Sequence, residues 1–257
     1  MSNILFCYKN FCESPSVITE TWGTTNSDFG TSKLADNNLQ SFWTTQGISP
    51  GPGTVANILF TMGSAVYVDS LIVVHNLNET GTLYVKAGDT NPPTTITYPL
   101  PILGNTGTSI NFFSPIVSYN FWQLFADGTK LSEVTKIKEV FIGKRDTLSV
   151  NPQYPFRKEI EAYTILTESE KGQRKVYSKY TKSKWDFSYP AIDEATFGTL
   201  NKIRNYCGGS YRPLWMCLDK DDDKFATYMV RFMKNSFKST EIIDGIYDVS
   251  FGIEEEL

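Results

Sequence analysis

The 257-residue sequence predicts a mainly β protein in two parts, a β-sandwich followed by a second β domain carrying one α-helix. Three observations predict it. Residues 1–147 contain short β-branched and aromatic runs parted by Gly, Pro and Asn, with almost no helical periodicity. Residues 148–257 hold longer alternating runs around a single helical stretch. Charge changes between the two: 8 Lys and Arg with 11 Asp and Glu in residues 1–147, against 16 and 17 in the shorter remainder. The stretch "DTLSVNPQYPF" (Asp146–Phe156), with two prolines, punctuates the change as a linker does. Expected boundaries are therefore 1–147 and 148–257.

In the first part the strands expected in order are "VANILFTM", "VYVDSLIVVHNL", "TLYVKAG", "SINFF", "FWQLFA" and "IKEVFIG". Leu71 and Val73 point to one face of the second run and Ile72 and Val74 to the other, the pattern of an interior strand. His75, the chain's one histidine, and Asn76 end this run where it turns polar. A polar residue there hydrogen-bonds the turn, so His75 is expected to be structural. Trp22 and Phe29 lie in the polar stretch "TWGTTNSDFG", where an aromatic either stacks on a sugar or partner or plugs the end of the barrel. Trp43, beside Phe42, is expected in the core. Asp36 suits an Asx-turn, and an oxygen-rich turn also suits calcium.

"KLADNNLQSFWTT", "VYVDSLIVVHNL" and "NFWQLFADGT…KIKEVFIG", taken in this order, resemble a discoidin-type domain, the galactose-binding-like jelly roll. Asp36 and Trp43 match the turn before a Trp, Asp69 the central strand, and Trp122, Leu124, Glu139 and Gly143 the closing pair. The usual glycine after the turn aspartate is Asn37 here. The resemblance implies a jelly-roll sandwich with loops at one end that bind glycan, lipid or protein. Candidate ligand contacts are Trp22, Phe29 and Asn76, with Asp36 as the candidate contact for a structural calcium ion; no other cofactor is expected.

In the second part "RKEIEAYTILTES" begins the strands, and "KSKWDFSYP" alternates with Trp185, Phe187 and Tyr189 on one face. "IDEATFGTLNKIRNYCGG" reads as a helix over about 193–207, with Asp193 as N-cap, an apolar stripe at Phe197, Leu200, Ile203 and Cys207, and Gly208–Gly209 as the stop. "RPLWMCL", "FATYMVRFM" and "GIYDVSFGIEEEL" follow as strands. "DKDDDKF" lacks the glycine and the glutamate of a calcium-binding EF-hand loop and is a hairpin turn. "KGQRKVYSKYTKSKW" interleaves basic and aromatic residues, yet its domain is net −1, which argues against nucleic acid. Four cysteines without paired spacing, and one histidine, give no zinc pattern, and the thiols are expected reduced. No run approaches the roughly 18 apolar residues of a membrane span. No secretion signal is evident, which predicts a soluble product of a cytoplasm.

The pattern "kSkWdFsyp…L…yrPLWM…yDVSF.iEEEL" resembles tail-tube and distal-tail proteins of phages and prophages, whose β-sandwich or barrel module builds rings by sheet extension. That resemblance implies a virion protein of a tailed phage, a tail or baseplate ring component made in the host bacterial cytoplasm. Its partners would be itself, other tail or baseplate proteins, and host surface glycan through the jelly roll. Lys175, Lys179 and Lys182 of the basic stretch and Glu254, Glu255 and Glu256 at the end supply opposite charges for a ring contact. The alternative is a stand-alone lectin-like protein with a β scaffold. No local arrangement of carboxylates implies acid–base catalysis, so an enzyme is not expected.

Overall fold

The computed structural model describes residues 4–14, 17–20, 30–44, 56–75, 82–100, 107–127, 136–168, 174–219 and 223–256. The protein is mainly β and antiparallel. It divides into two compact units, one formed by Lys9–Arg145 and the other by Met1–Tyr8 together with Asp146–Leu257. The first eight residues were expected with the sandwich and belong instead to the second unit. The reason is pairing: strand β1 (Leu5–Asn10) sets Leu5, Phe6 and Cys7 against Cys217, Met216 and Trp215, and Ile4, Phe6 and Tyr8 enter that unit's core.

The Lys9–Arg145 unit contains β2 (Val17–Glu20), β3 (Trp43–Thr44), β4 (Ala56–His75), β5 (Thr82–Gly88), β6 (Ile96–Leu100), β7 (Thr108–Asp127) and most of β8 (Lys136–Thr147). β4 and β7 are each 20 residues long and pair twice. The first half of β4 lies between β2 and the end of β7, which continues to β5 and β6. Its second half lies between the start of β7 and β8. Register shifts at Thr61/Val66 and Val68/Ser70 bend the pair from one sheet into the other, as bulges do. The sequence suggested separate strands at these places. Gly63–Ala65 and Ser114–Asn120, the gaps between the expected strands, lie inside continuous strands.

Between the sheets lie Trp43, Phe60, Leu71, Val73, Val85, Trp122, Leu124, Val140 and Ile142, all buried. Burying such side chains contributes about 1.5–3 kcal/mol each. Ile72, on the other face of β4, is buried too, whereas Val74 is half-buried.

The second unit adds β9 (Arg157–Glu168), β10 (Arg174–Asp193), α1 (Glu194–Tyr206), β11 (Leu214–Asp219), β12 (Asp223–Phe232), β13 (Lys238–Ile243) and β14 (Ile246–Glu255). Its strand order is β1-β11-β12-β14-β10-β9, with β13 also on β14. The alternation seen in sequence fixes the core. Trp185, Phe187 and Tyr189 of β10 face Ile253, Phe251 and Val249 of β14, and all six are buried. Leu200 and Ile203 of α1 join the same core, and Phe197 stacks on Tyr247 at 4.2 Å. Asp193 caps the helix by accepting from the Thr196 amide at 2.8 Å, and Gly208 ends it at φ +59°.

Candidate functional site

The sandwich unit places its chemistry at the turn after Leu34. Asp36 makes the Asx-turn: Oδ1 accepts from the Asn38 amide at 3.0 Å and Oδ2 from the Ser41 hydroxyl at 2.7 Å. Asn37, where related turns carry glycine, takes φ +58°, a conformation asparagine tolerates. That bend aims its amide at Glu139 Oε2, 3.2 Å away, while its side-chain nitrogen donates to Glu13 Oε1 at 3.2 Å. Glu139 is buried in β8, and its Oε1 has no hydrogen-bond partner among the described residues. Burial, then the negative charges of Asp36 and Glu13, push its carboxyl well above the usual carboxylate range. Burial likewise pushes the nearby Cys12 thiol up.

This cluster bears on the calcium that the sequence resemblance implies. The donors are oxygens and one is orphaned, which suits a hard cation. Against that, both Asp36 oxygens already accept hydrogen bonds from their own turn. No three acidic, histidine or cysteine side chains converge on a metal position among the described residues. Among the described residues no calcium site with Asp36 as ligand is formed. The acid that matters is Glu139, a residue the closing-strand motif contained but gave no role. Its signal in sequence is an acid at alternate spacing with Ile137 and Phe141, directly before the apolar run Val140–Ile142.

His75 ends β4 in a buried position, and its Nε2 lies 2.9 Å from the Ser109 hydroxyl. The sequence did not reveal this pair. A serine and a histidine at this distance have the spacing of an activated nucleophile. Ser109, however, is 0% exposed, so its oxygen reaches no substrate. Burial lowers the imidazole to about 4, which keeps it neutral. Since the folded value lies below the ordinary 6.5, stability is present above 6.5 and lost as pH falls through about 4. The loss is about 3 kcal/mol at full protonation. His75→Gln is expected to cost about 1 kcal/mol at pH 7 and to flatten this acid limb, measured by urea denaturation at pH 7 and 4.5. An unchanged limb would show that the histidine does not carry it.

The candidate ligand residues Trp22, Phe29 and Asn76 lie outside the described residues. The candidate interface residues separate. Glu254, Glu255 and Glu256 are engaged within their own chain: Glu254 stands opposite Lys184 and Arg231, Glu255 accepts from the Ser183 amide at 3.0 Å, and Glu256 pairs with Arg231. The acidic end thus meets the basic strand inside one subunit, because β14 runs antiparallel along β10. Lys179 and Lys182 lie farther out on β10, over the rings of Tyr163 and Tyr180. Lys175 is opposite Thr167 by register, and its side chain lies outside those described.

β9 and the outer part of β10 form a two-stranded arm. Ile160 is 67% exposed and Val176 64%, and Tyr163, Ile165, Tyr177 and Tyr180 are exposed as well. Register places Ile160/Ser183, Ala162/Thr181 and Thr164/Ser178 on the face that continues from Lys158 and Trp185. The other face carries the Lys184–Glu161 ion pair (2.7 Å) and the stacked pair Tyr163–Tyr180 (5.2 Å).

No family model matches the chain, and no curated protein does. Solved structures similar to it include chitosan-binding module 1 from a chitosanase/glucanase of Paenibacillus sp. IK-5, at 14% identity, TM-score 0.42, over 53% of this chain and 100% of that one. Another is the CBM32 of AlyQ in complex with 4,5-unsaturated mannuronic acid, at 17% identity, TM-score 0.39, over 53% and 96%. A third is a GH29 fucosidase of Ruminococcus gnavus, at 14% identity and TM-score 0.40, where 54% of this chain spans 27% of that chain. At these identities and TM-scores the similarity assigns no activity or ligand to this chain.

Proposed function

We propose that the protein is a self-assembling structural component, a ring protein of a phage tail or baseplate, whose sandwich unit is presented to neighbouring tail proteins or host glycan. The observation that carries this is the β9–β10 arm. A two-stranded ribbon is at best marginal in water, and this one exposes aliphatic and aromatic side chains on both faces. Cover by a second copy removes that surface from water. The tail-type sequence pattern of the same unit supports the setting, with the virion as location.

The test is the solution mass of the full chain by mass photometry and light scattering. Wild type is expected to form oligomers at micromolar concentration, and Ile160→Glu to shift them to monomers with an unchanged circular dichroism spectrum. A wild type that stays monomeric at high concentration, and in isolated particles, overturns the proposal.

The lectin-like reading is kept by a separate observation. Asp36, Trp43, Asp69, Trp122 and Glu139, which carry the discoidin-type pattern, all build one sandwich. Glycan-array binding by a monomer would favour that reading over the ring.

A further inference from the structure

The second unit holds a cavity of about 240 Å³ between the loop that follows α1 and the turn from β12 to β13. Its polar side chains are Arg204, Ser210, Lys234 and Asn235, with Met233 and Phe237 among its apolar ones. No acidic side chain lines it among the described residues. Both walls are fastened from behind. Arg231 of β12 pairs with Glu256 and donates to the Ser210 and Tyr211 carbonyls, which holds the loop. The turn is tied to β14, since the Met233 amide donates to the Gly252 carbonyl at 2.9 Å. The Ser236 hydroxyl lies 2.8 Å from the Met233 carbonyl and 2.9 Å from that of Gly252. Between these anchors Asn235 takes φ +57°, a conformation asparagine tolerates.

We infer that this cavity binds a compact organic oxyanion, a carboxylate or phosphate group carrying a small apolar part. The first observation is charge. Elsewhere in the unit Arg157, Arg174, Lys184, Lys202 and Arg231 each meet a carboxylate. Arg204 and Lys234 meet none among the described residues, in a chain with 28 acids to 24 bases. Two cations on one concave wall focus positive potential into the space they line. Arg204 stands in the last turn of α1, where a cation also answers the helix dipole. That accounts for Arg204 alone, because Lys234 comes from the opposite wall.

The second observation is unused donors. The Arg204 guanidinium lies 5.0 Å over the Phe237 ring, a stack that fixes its plane and leaves its N–H groups for a partner. No hydrogen bond within the protein engages that guanidinium, the Ser210 hydroxyl, the Lys234 ammonium or the Asn235 side-chain amide among the described residues. The Gly208 and Gly209 amides, by contrast, already donate to the Asn205 and Arg204 carbonyls, so the helix end adds no donor. An oxyanion accepts from all four side chains, and a flat or tetrahedral one meets the arginine with two oxygens. The third observation is size. The cavity falls short of the roughly 300–1,000 Å³ that larger ligands occupy, so its ligand is compact. Met233 and Phe237 give that ligand an apolar surface to lie on.

The inference does not depend on self-association, and its test reads binding by the full-length chain. Isothermal titration calorimetry with phenyl phosphate, benzoate, inorganic phosphate and benzyl alcohol separates the contributions. Phenyl phosphate or benzoate is expected to bind at millimolar concentration or below, and the tighter of the two identifies the preferred oxyanion. Inorganic phosphate should bind more weakly, and benzyl alcohol, which lacks the charge, not at all. Lys234→Gln, at an exposed position, should weaken binding about tenfold, the scale of one lost charge-assisted hydrogen bond. Arg204→Lys keeps the charge at the helix end but loses the fork, and should weaken binding with thermal stability unchanged. Added salt should weaken binding further. Heat from none of the oxyanions, or an affinity that neither variant changes, overturns the inference. Equal binding of benzyl alcohol and benzoate would show an apolar pocket and overturn it as well.

Discussion

Gly143→Ala should cost the sandwich unit about 3 kcal/mol or more, enough to lower its urea midpoint severely. A Cβ at Gly143 would stand 2.0 Å from the Lys9 carbonyl oxygen and 2.8 Å from the Phe141 ring. The ring can rotate; the carbonyl cannot withdraw. Its neighbour Asn10 is buried and bound on both sides, donating to the Val140 carbonyl at 3.0 Å and accepting from the Ile142 amide at 3.1 Å. Any shift of Lys9 therefore breaks hydrogen bonds that burial makes expensive to lose. The control is Gly198→Ala in α1, where an added Cβ meets nothing within 4 Å. There the helix is expected to gain up to about 1 kcal/mol. Equal midpoints for wild type and Gly143→Ala would mean that this close approach does not exist.

Glu139→Gln is expected to act in the opposite direction and to stabilise the protein at neutral pH by about 1–3 kcal/mol, because glutamine fills the position without binding a proton or burying a charge on folding. The pH dependence follows from the raised folded value. Between the unfolded value near 4.5 and the folded one, the native state holds the extra proton. Stability is thus greatest below the unfolded value and falls as pH rises through the folded one. Glutamine has no proton to lose, so the variant should show no such decline. His75 slopes the other way, losing stability as pH falls from 6.5 through about 4, and in Glu139→Gln that acid loss should stand alone. Thermal melting from pH 4 to 8, with and without millimolar calcium, checks both arms. Calcium-dependent destabilisation by Glu139→Gln would show instead that an ion occupies Oε1 and that the carboxylate is its ligand.

Local pattern made much of the second unit legible. Trp185, Phe187 and Tyr189 alternate because one face of β10 is core, and Asp193 and Gly208 mark the helix ends by side-chain and backbone chemistry that needs no distant partner. The pairing of β1 with β11 was not legible, because Phe6 and Met216 lie far apart in the chain and either strand would read the same beside another neighbour. Gly63–Ala65 and Ser114–Asn120 read as gaps between strands because bends and turns draw on the same residues. Among candidate site residues, Asp36 was legible as a turn former. Glu139 was legible as a matched position, but its burial was not, since charge argues for the surface and only tertiary packing places this one inside. The acidic end Glu254–Glu256 suggested a partner molecule; the strands that answer it are the two immediate neighbours of β14 in the sheet, β10 and β12.

The assignment of Met1–Tyr8 to the second unit makes the sandwich a guest in its host's chain. The host begins, yields to 137 residues of another fold, and resumes at Asp146. Where the chain leaves and re-enters, Tyr8 donates to Asp146 at 2.9 Å, and Lys202 of α1 holds the same carboxylate at 3.0 Å. The host thus closes its own seam, in the way that domain insertions at neighbouring surface points are tolerated. A fragment starting at residue 148 would leave β11 without its neighbour and take Ile4, Phe6 and Tyr8 out of the core. The same seam lets the guest be lengthened, shortened or exchanged while the pairing of Leu5–Cys7 with Trp215–Cys217 stays as it is.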